Sequence, residues 1–534
     1  MKWSRTRKPI FFLFALVLVF VAGCKAVGGV DFNRVLKQSL EVTSAESNNT
    51  IELNLLVNEE ASEYMSEEEA DLLQLFAHTK LELDQVKQQD DSHVSLSGKL
   101  KFGTDLAAGI GFKAAVSDEK AVIEIEGAKH PFVLDMTGEA LAELEGVSLA
   151  EGLGTAQAGD DQSITAIGDQ LLDAVSGFAI DNLPNPKNLS VNSVNESING
   201  VNTSLYHVHT ELAGQEIWDW VKAYVDALAA DKAGLNKLVN GIFEALASDP
   251  EVLAALGLPD PSGATQLDAP TQEDIVKSFS GSISDLLTNL QAELAQFESE
   301  QAESLGQLLG PETYVKADVY VDRKFDVRKE NIELSVKPTG DVKDSLFPLD
   351  GLVLTVGSER WNVNGAVQAD EPAAPDDAVT LDETDLDQGY KLLKQFDENS
   401  IAYDILKNKL HIGRQEVDLY ADDYLPPIIT PKGVTIIPLR DTAEQLGAEV
   451  KYDSKTQKII VVDEATGTTI ALTSGSDTVT VNGKNVKWQF PVTSVNGTTY
   501  VPARSFVSAL GAGLHWESFY EDGSNDILVI SREL

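Results

Sequence analysis

The residue types that most often carry chemistry are scarce in this chain of 534 residues, which has seven histidines and one cysteine. Two of the histidines, His207 and His209, stand two residues apart and are followed by Glu211. In a strand these three side chains share one face, where they could bind a divalent metal ion. Val208 and Leu212 would then form the core side, so the histidines face solvent or a cavity. We predict no metal here and keep the pair as a weak candidate.

Sequence motifs of catalysis are absent or out of context. Ser117 and Lys120 match the S-x-x-K pattern, but they lie between two strand patterns, which predicts a turn, and the companion motifs are missing. The zinc-protease H-E-x-x-H, the nucleophile elbow G-x-S-x-G, the phosphate loop and the dinucleotide fingerprint do not occur. We predict a protein that is not an enzyme and that holds no cofactor; an enzyme without a recognisable motif is a third alternative.

The only cysteine, Cys24, ends an apolar run, Phe11–Cys24, that follows four basic residues. This order is typical of a secretory signal, and the run is shorter than the roughly 20 residues that a spanning helix needs. Residues 21–24 (VAGC) resemble a bacterial lipobox. The resemblance implies that residues 1–23 are removed and that Cys24 carries acyl chains such as palmitate, which anchor the chain to the outer face of the membrane. The alternative is an anchor that is never cleaved.

The charge balance limits the partners of the chain. Its formal net charge is −44, and the loss of the four basic residues in the signal would make it still more negative. Phosphate backbones and anionic lipid headgroups repel such a chain, so we predict no nucleic-acid partner. Since 43% of the residues are hydrophobic, the chain is expected to fold, and its length suggests two or three domains. The oligomeric state is not predictable from these features.

Residues 24–30 are expected to form a short tether, and residues 31–369 a membrane-proximal domain. Alternating or continuous apolar patterns predict strands that include Ile51–Val57, Val94–Phe102, Ala121–Glu126, Phe132–Met136, Thr203–Leu212, Tyr314–Asp322, Ile332–Val336 and Leu352–Val356. Helical spacing predicts helices at Asp31–Val42, Glu67–Phe76, Ile164–Phe178, Ile217–Leu228, Leu235–Leu246 and Ile275–Phe297. This order indicates an α+β fold, with helices on one face of an antiparallel sheet. Such a sheet and its helices can enclose a cavity or pack without one.

Residues 370–389 are acidic, rich in Pro and Ala, and lack periodicity, which indicates a linker. A calcium-binding loop is the functional alternative, but the glycine and the last glutamate of an EF-hand are not at the required spacings.

Beyond the linker the sequence repeats itself. Thr435–Ala448 recurs as Thr499–Ala512 at a constant offset of 64, which indicates two repeat units at about 433–462 and 497–530. In each unit a strand ends at a proline, Pro438 or Pro502, that suits a helix start. A glycine then follows where a left-handed helix cap is expected. One such unit cannot bury both of its faces, so the two units should pack together.

The motif shared by both units, T-x-[VI]-P-[LA]-R followed by L-G-A, resembles the stalk domain named after the N-terminal domain of copper amine oxidases. The resemblance implies a non-catalytic module without copper over residues 390–534, common in exported proteins of Gram-positive bacteria. Tyr390–Asp423 is a candidate third unit, because Phe396–Ile412 echoes Leu446–Val462. Arg440 and Arg504 could bind a carboxylate or a wall polymer, although an internal ion pair or a carbonyl clamp at the helix start is the favoured interpretation.

The run VNTSLYHVH at Val201–His209, in a lipid-anchored chain with a sheet and helices, resembles the half-barrel lipoprotein carriers of the LolA and LppX type. This resemblance implies a curved half-barrel for the membrane-proximal domain.

Two functions follow as hypotheses. The first is a membrane-anchored scaffold at the cell envelope, with a cell-wall polymer or an envelope protein as partner. The second is a carrier that holds a lipid or another amphiphile in an apolar cavity of roughly 300–1,000 Å³ under its helices.

Overall fold

The computed structural model describes residues 28–103, 106, 108–136, 170–171, 174–247, 272–380, 389–518 and 526–534. The predicted signal, the lipidation residue Cys24 and the first part of the helix predicted at Ile164–Phe178 lie outside these residues. The chain divides into two compact units, one of residues 1–126 and 130–380 and the other of residues 127–129 and 381–534. The division falls inside the acidic segment 370–389.

The N-terminal unit is built on one curled, half-barrel sheet of twelve strands. The strands are β1 Ala45–Val57, β2 His78–Gln88, β3 Val94–Phe102, β4 Ala108–Val116, β5 Lys120–Ile125, β6 Phe132–Asp135, β7 Asn188–Ile198, β8 Val201–Ala213, β9 Tyr314–Val321, β10 Val327–Val336, β11 Leu349–Trp361 and β12 Val379–Thr380. Their spatial order is β12-β6-β5-β4-β3-β2-β1-β11-β10-β9-β8-β7. Among the strands that the structure describes, only β12 and β6 pair in parallel. The first long strand, β1, therefore pairs with the last, β11, near the centre of the sheet.

Seven helices of this unit have defined bounds. They are α1 Phe32–Leu40, α2 Glu67–Ala77, α3 Gln215–Ala230, α4 Lys232–Ala247, α5 Gln272–Glu300, α6 Ala302–Leu308 and α7 Gly340–Asp344. The Asp31 side chain caps α1 by accepting a hydrogen bond from the Arg34 amide. Ser66 and Glu69 form a reciprocal capping box at the start of α2. Local sequence thus fixes where both helices begin.

The helices cover one part of the sheet. Phe32 of α1 and Trp220 of α3 are buried against Val208, Val319 and Ile332 on strands β8 to β10. A second, smaller core lies where α4 meets α5. The α+β class with helices on one face of an antiparallel sheet is confirmed.

Three strands, β2, β4 and β7, are not predicted by the sequence pattern. The end of the segment expected to be a linker also forms structure, since Val379 and Thr380 pair with Phe132 and Val133 of β6. Because two residues can add a short edge strand without any apolar periodicity, composition alone does not reveal β12.

The C-terminal unit contains three small sheets. Its strands are β13 Arg414–Tyr420, β14 Ile428–Ile429, β15 Thr435–Pro438, β16 Glu449–Asp453, β17 Lys458–Asp463, β18 Thr468–Leu472, β19 Thr478–Val481, β20 Lys484–Lys487, β21 Thr493–Val495, β22 Thr498–Pro502, β23 Gly513–Glu517 and β24 Ile527–Glu533. They form sheets in the orders β13-β24-β23, β14-β15-β22-β21 and β16-β17-β18-β19-β20. Its helices are α8 Gly389–Lys394, α9 Ile401–Asp404, α10 Leu439–Gln445 and α11 Ala503–Ala509.

The two repeat units pack together as the sequence predicts. Strands β15 and β22 are antiparallel neighbours, and Ile437 lies opposite Val501, its equivalent at the offset of 64. Leu446 and Leu510 are fully buried in one shared core. The predicted left-handed caps are present at Gly447 and Gly511, with φ of 75° and 72°.

The echo of Leu446–Val462 in Phe396–Ile412 does not correspond to a third copy. That match requires strands at residues 399–403 and 408–412, but α9 and a π-helical turn over Ile405–Lys409 occupy the segment. Ser400 caps α9 by accepting from the Tyr403 amide, so the local sequence starts a helix where the repeat has a strand.

Candidate functional site

The middle of the half-barrel carries a continuous apolar face. Cross-strand partners on this face include Ile51 with Leu81 and Val356, and Leu100 with Leu81 and Ile110. Val356 is buried, but Ile51, Leu81, Leu100 and Ile110 are only half-buried, unlike the side chains under α1 and α3. The opposite face alternates with charged residues, namely Glu52, Lys80, Glu82, Lys99 and Lys101. The sheet therefore offers one apolar and one polar face.

Helix α2 closes one end of the apolar face. It packs against β1, β2 and β3, and the Phe76 ring meets the Phe102 ring edge-on with centroids 6.1 Å apart. The Leu75 carbonyl accepts a hydrogen bond of 2.9 Å from the Gly103 amide. Leu72 and Leu73 of the same helix are only half-buried. The helix thus adds apolar surface that its own packing does not bury.

A cavity of about 590 Å³ lies between α2 and the end of β1. Its lining is mostly apolar and comprises Leu55, Leu56, Val57, Ala61, Met65, Ala70, Leu73 and Ala77, with Asn58, Glu59, Gln74 and His78 as the polar members. Small-molecule sites in proteins commonly have volumes of roughly 300–1,000 Å³ and predominantly apolar walls. This cavity has the size and chemistry of a site for an aliphatic chain.

A second cavity, of about 550 Å³, lies beside α1, α4 and the helical residues 174–180. Its walls carry the charged residues Lys37, Glu41, Asp181, Asp231, Lys237 and Glu244. Lys37 and Asp181 form an ion pair of 2.6 Å across it. This polar lining does not suit an aliphatic chain.

The long helix α5 also exposes apolar surface. Ile283 and Leu294 are half-buried. The adjacent stripe of Phe279, Leu286, Leu290 and Phe297 is exposed, Leu286 to 65%. The helical pattern predicted for this segment is confirmed, but its apolar residues do not all serve the core.

The predicted histidine pair lies on the polar face of the sheet. His207 Nε2 and His209 Nδ1 both contact Asp318 Oδ1, at 2.7 and 2.9 Å. Glu211 pairs with Lys316 at 3.9 Å and does not join the histidines. Among the residues that the structure describes, no group of three or more His, Cys, Asp or Glu side chains is placed to hold a metal ion. The sequence did not reveal Asp318, because it comes from the neighbouring strand β9.

Ser117 and Lys120 lie in the turn between β4 and β5, as the strand pattern predicts. The Ser117 amide donates to the Lys120 carbonyl at 2.9 Å, and the Lys120 amide lies 3.4 Å from Ser117 Oγ. These contacts close the turn.

Arg440 and Arg504 are both exposed, at equivalent positions of α10 and α11. Arg440 pairs at 2.6 Å with Glu444 on the next turn of its own helix. Since β15 and β22 run antiparallel, the two arginines leave the shared strand pair in opposite directions. The structure therefore does not bring them together.

The carbonyl clamp of this unit is a different residue, Arg532 on β24. Its buried guanidinium donates to the carbonyls of Leu446 and Leu510, at 2.7 and 2.8 Å, and to both carboxylate oxygens of Asp463. Burial alone would raise the pKa of Asp463, but hydrogen bonds from Arg532 and Thr466 outweigh it and hold the pKa below its ordinary value. One arginine thus joins the ends of both repeat helices.

A second buried pair lies in the N-terminal unit, where Arg360 Nη2 contacts Glu330 Oε1 at 2.6 Å. Among the described residues, the other carboxylate oxygen of Glu330 has no hydrogen-bond partner, and neither has Ser358 Oγ, although Ser358 lies opposite Glu330 on the neighbouring strand. Burial raises the pKa of Glu330, and the nearby Arg360 only partly opposes this effect. This pair interrupts the apolar face toward the far ends of β10 and β11.

Comparison with known protein families identifies the C-terminal module. Residues 414–520, about a fifth of the chain, match the copper amine oxidase N-terminal domain, which is a non-catalytic domain of that family. No curated protein and no solved structure matches the chain. Across the described residues, none of the helices is long and apolar enough to cross a membrane. The stalk-domain resemblance is therefore supported, and the match says nothing about the N-terminal unit.

Proposed function

We propose that the protein is an exported lipoprotein, anchored through Cys24 to the outer face of the cell membrane of a Gram-positive bacterium, that binds an amphiphile in its N-terminal unit. The observation that carries this proposal is the cavity of about 590 Å³ under α2, which adjoins the half-exposed apolar face of the sheet. The protein acts as a carrier and not as an enzyme.

The energetics favour an aliphatic occupant. Each methylene group that leaves water contributes about 0.8 kcal/mol. The walls that receive it are side chains such as Leu55, Leu73 and Met65, which keep part of their surface open in the free protein. The bound chain would cover surface that otherwise remains in contact with water.

Solvent extraction and mass spectrometry of purified residues 25–534, the mature chain without its acylated cysteine, test the carrier proposal. We expect a stoichiometric lipid or other amphiphile in the extract, directly or after incubation with membrane vesicles. Ala70→Trp places an indole in the cavity and should abolish retention, whereas Glu68→Trp, at an exposed position of the same helix, should not. A clean wild-type extract after vesicle incubation, or full retention by Ala70→Trp, would refute the proposal.

The anchor is tested separately by the Cys24→Ala variant of the full-length chain. Without an acylated cysteine, we expect the protein in the culture medium and not in the membrane fraction, as measured by quantitative immunoblotting of both. Continued membrane retention of the variant would contradict the lipoprotein assignment.

The family match favours a second candidate function. A non-catalytic copper amine oxidase N-terminal domain at residues 414–520 is suited to a scaffold that contacts a cell-wall polymer or an envelope protein. Exposed Arg440 and Arg504 are the candidate contacts for an acidic polymer. Co-sedimentation of the mature chain with purified cell walls, compared with an Arg440→Gln/Arg504→Gln variant, tests this role; equal binding by both would remove the arginines from it.

A further inference from the structure

A further cavity of about 380 Å³, here called the hollow, adjoins the cavity under α2. Tyr64 and Phe347 meet in it edge to face, with ring centroids 5.6 Å apart and ring planes at 90°. Both rings are unusually open for aromatic side chains, with Tyr64 73% and Phe347 44% exposed. The hollow therefore presents two aromatic surfaces that protein packing leaves uncovered.

Three of the six other residues that line the hollow are acidic. The six are Asn58, Glu60, Lys343, Asp344, Leu349 and Asp350. Lys343 is the one cation of this lining, and it is bound to Asp350 at 3.1 Å. Asn58 Nδ2 also donates to Asp350, at 2.7 Å. Asp350 is thus neutralised from within the protein.

The carboxylates of Glu60 and Asp344 are not neutralised in this way. Within the described part of the chain, neither carboxylate has a cation at ion-pair distance. The hollow consequently combines two uncompensated negative charges with the faces and edges of two aromatic rings. Cations are attracted both by carboxylates and by aromatic faces, and this combination is typical of sites for ammonium groups.

The two cavities are contiguous along the chain. Asn58 lines both of them. Glu59 and Met65 line the cavity under α2, and their chain neighbours Glu60 and Tyr64 line the hollow. A ligand with an aliphatic chain in the cavity under α2 would place its polar end at the aromatic and acidic hollow. The apolar cavity alone would accept any aliphatic chain, so the hollow decides which head group is favoured.

We propose that the ligand is a cationic amphiphile, whose aliphatic chain occupies the cavity under α2 and whose ammonium group lies against Tyr64 and Phe347, between Glu60 and Asp344. This inference rests on the proposed carrier function and names the chemical class of its ligand. An anionic head group would meet the two carboxylates without a compensating cation and would be rejected.

The test compares three amphiphiles with equal chains, namely dodecyltrimethylammonium, dodecyl maltoside and dodecyl sulfate. Binding to residues 25–534 is measured by isothermal titration calorimetry below the micelle concentration. We expect the ammonium compound to bind roughly tenfold more tightly than the neutral one and the sulfate most weakly. Equal affinities for all three would overturn the head-group assignment and leave the carrier function intact. If none of them binds, both the assignment and the carrier function fail.

Substitutions test whether the preference for the cationic amphiphile arises in the hollow. Glu60→Gln/Asp344→Asn should abolish the preference for the cation and leave the affinity for dodecyl maltoside unchanged. Asp285→Asn/Glu293→Gln removes the same charge from exposed positions of α5 and should preserve the preference. Tyr64→Leu, at a position where the side chain is 73% exposed, should weaken cation binding alone. A cation preference that survives in the Glu60/Asp344 variant would show that the hollow does not bind the head group.

Discussion

Replacement of Arg532 by methionine tests whether one buried arginine holds the two repeat units of the C-terminal module together. Methionine fills much of the space of the arginine stem but cannot donate hydrogen bonds. The variant leaves the carboxylate of Asp463 buried without its partner and the carbonyls of Leu446 and Leu510 without their donors. We expect the C-terminal unit to be strongly destabilised.

The magnitude follows from the burial of the pair. Both side chains are fully inaccessible to solvent. Removal of one partner from a buried ion pair typically costs about 3–5 kcal/mol of unfolding free energy, because an uncompensated charge remains in the interior. With a denaturant slope of about 2 kcal/mol per molar urea, the unfolding midpoint should fall by roughly 1.5–2.5 M. The exposed pair of Arg440 with Glu444 should contribute only about 0.3–0.5 kcal/mol.

Hydrogen exchange at increasing urea concentrations, followed by mass spectrometry of peptides, reports the C-terminal unit separately from the rest of the chain. Peptides from β17 and β24 should show the shift in Arg532→Met, and Arg440→Met serves as the matched control. The double variant Arg532→Met/Asp463→Leu removes both charges and should recover much of the loss. If Arg532→Met shifts the midpoint no more than Arg440→Met does, the clamp does not stabilise the module and the reasoning is refuted.

Three further outcomes follow from the same structure. The folded pKa of Asp463 lies below its ordinary value of 3.8, so the stability that this carboxylate contributes is present above pH 3.8 and is lost as the pH falls further. The difference in urea midpoint between wild type and Asp463→Asn should therefore shrink as the pH is lowered. A difference that stays constant with pH would contradict this expectation. For Glu330 the pH dependence is reversed, because its folded pKa lies above 4.5: the N-terminal unit should lose stability as the pH rises from 4.5 through the folded pKa. Thermal unfolding of Glu330→Gln should not show this loss, whereas Glu124→Gln, at an exposed site, should still show it. Ser66→Ala removes one half of the capping box and should destabilise α2 by about 1 kcal/mol, seen as faster hydrogen exchange in residues 67–77; unchanged exchange would exclude a role for the cap.

The strands that the sequence predicts carry either period-2 alternation, as in β9, or a nearly continuous apolar run, as in β11. Strand β2 escapes prediction because a bulge at Gln85, where φ is 53°, places Leu83 and Val86 three residues apart on the same face. Period-2 reasoning fails wherever one extra residue enters a strand. The fold class was nevertheless predictable, since it depends on the order of the elements and not on each strand.

Strands β4 and β7 were hidden for other reasons. In β4 the apolar signal of Ile110 and Phe112 is diluted by glycines, and the facing strand also has a glycine at position 98, where a Cβ would lie 2.5 Å from the Phe112 ring. In β7 the apolar Val191 and Val194 are three residues apart, and the strand is defined by its continuous pairing with β8. Both strands are specified by their neighbours in the sheet, which a single sequence does not display.

The candidate site was predictable only in part. The sequence predicts the acidic helix at Glu67–Phe76, which the structure confirms. It leaves open whether the sheet and its helices enclose a cavity, and it does not indicate a position at the end of β1. The hollow beside it joins Tyr64 with Phe347, nearly 300 residues apart in the sequence, and neither residue belongs to a periodic pattern. Long-range juxtapositions of single residues carry no local signal.

Arg532 shows the same limit within a repeat. Arg532 donates hydrogen bonds to the backbone carbonyls of Leu446 and Leu510, which occupy equivalent positions of the two repeat units at the offset of 64. The arginine therefore lies near the local symmetry axis between the units. A residue near an axis can serve both units, and one copy is enough. The corresponding position of the first unit, 68 residues earlier, is Glu464. The clamp is therefore marked by a break in the repeat, whereas the residues that recur at the offset of 64, Arg440 and Arg504, are exposed.

The charge of the chain bears on the proposed ligand class in two separable ways. The net charge of −44 attracts any cation from a distance, but at physiological ionic strength such attraction is screened beyond a Debye length of about 8 Å. Glu60 and Asp344 line the hollow itself, so in the proposed complex they would act on the head group at short range. If the hollow determines specificity, the preference for the ammonium amphiphile should persist when the salt concentration is raised to physiological strength, although the association rate falls. A preference that disappears with added salt would assign it to the net charge, and Asp285→Asn/Glu293→Gln would then reduce it as much as Glu60→Gln/Asp344→Asn does.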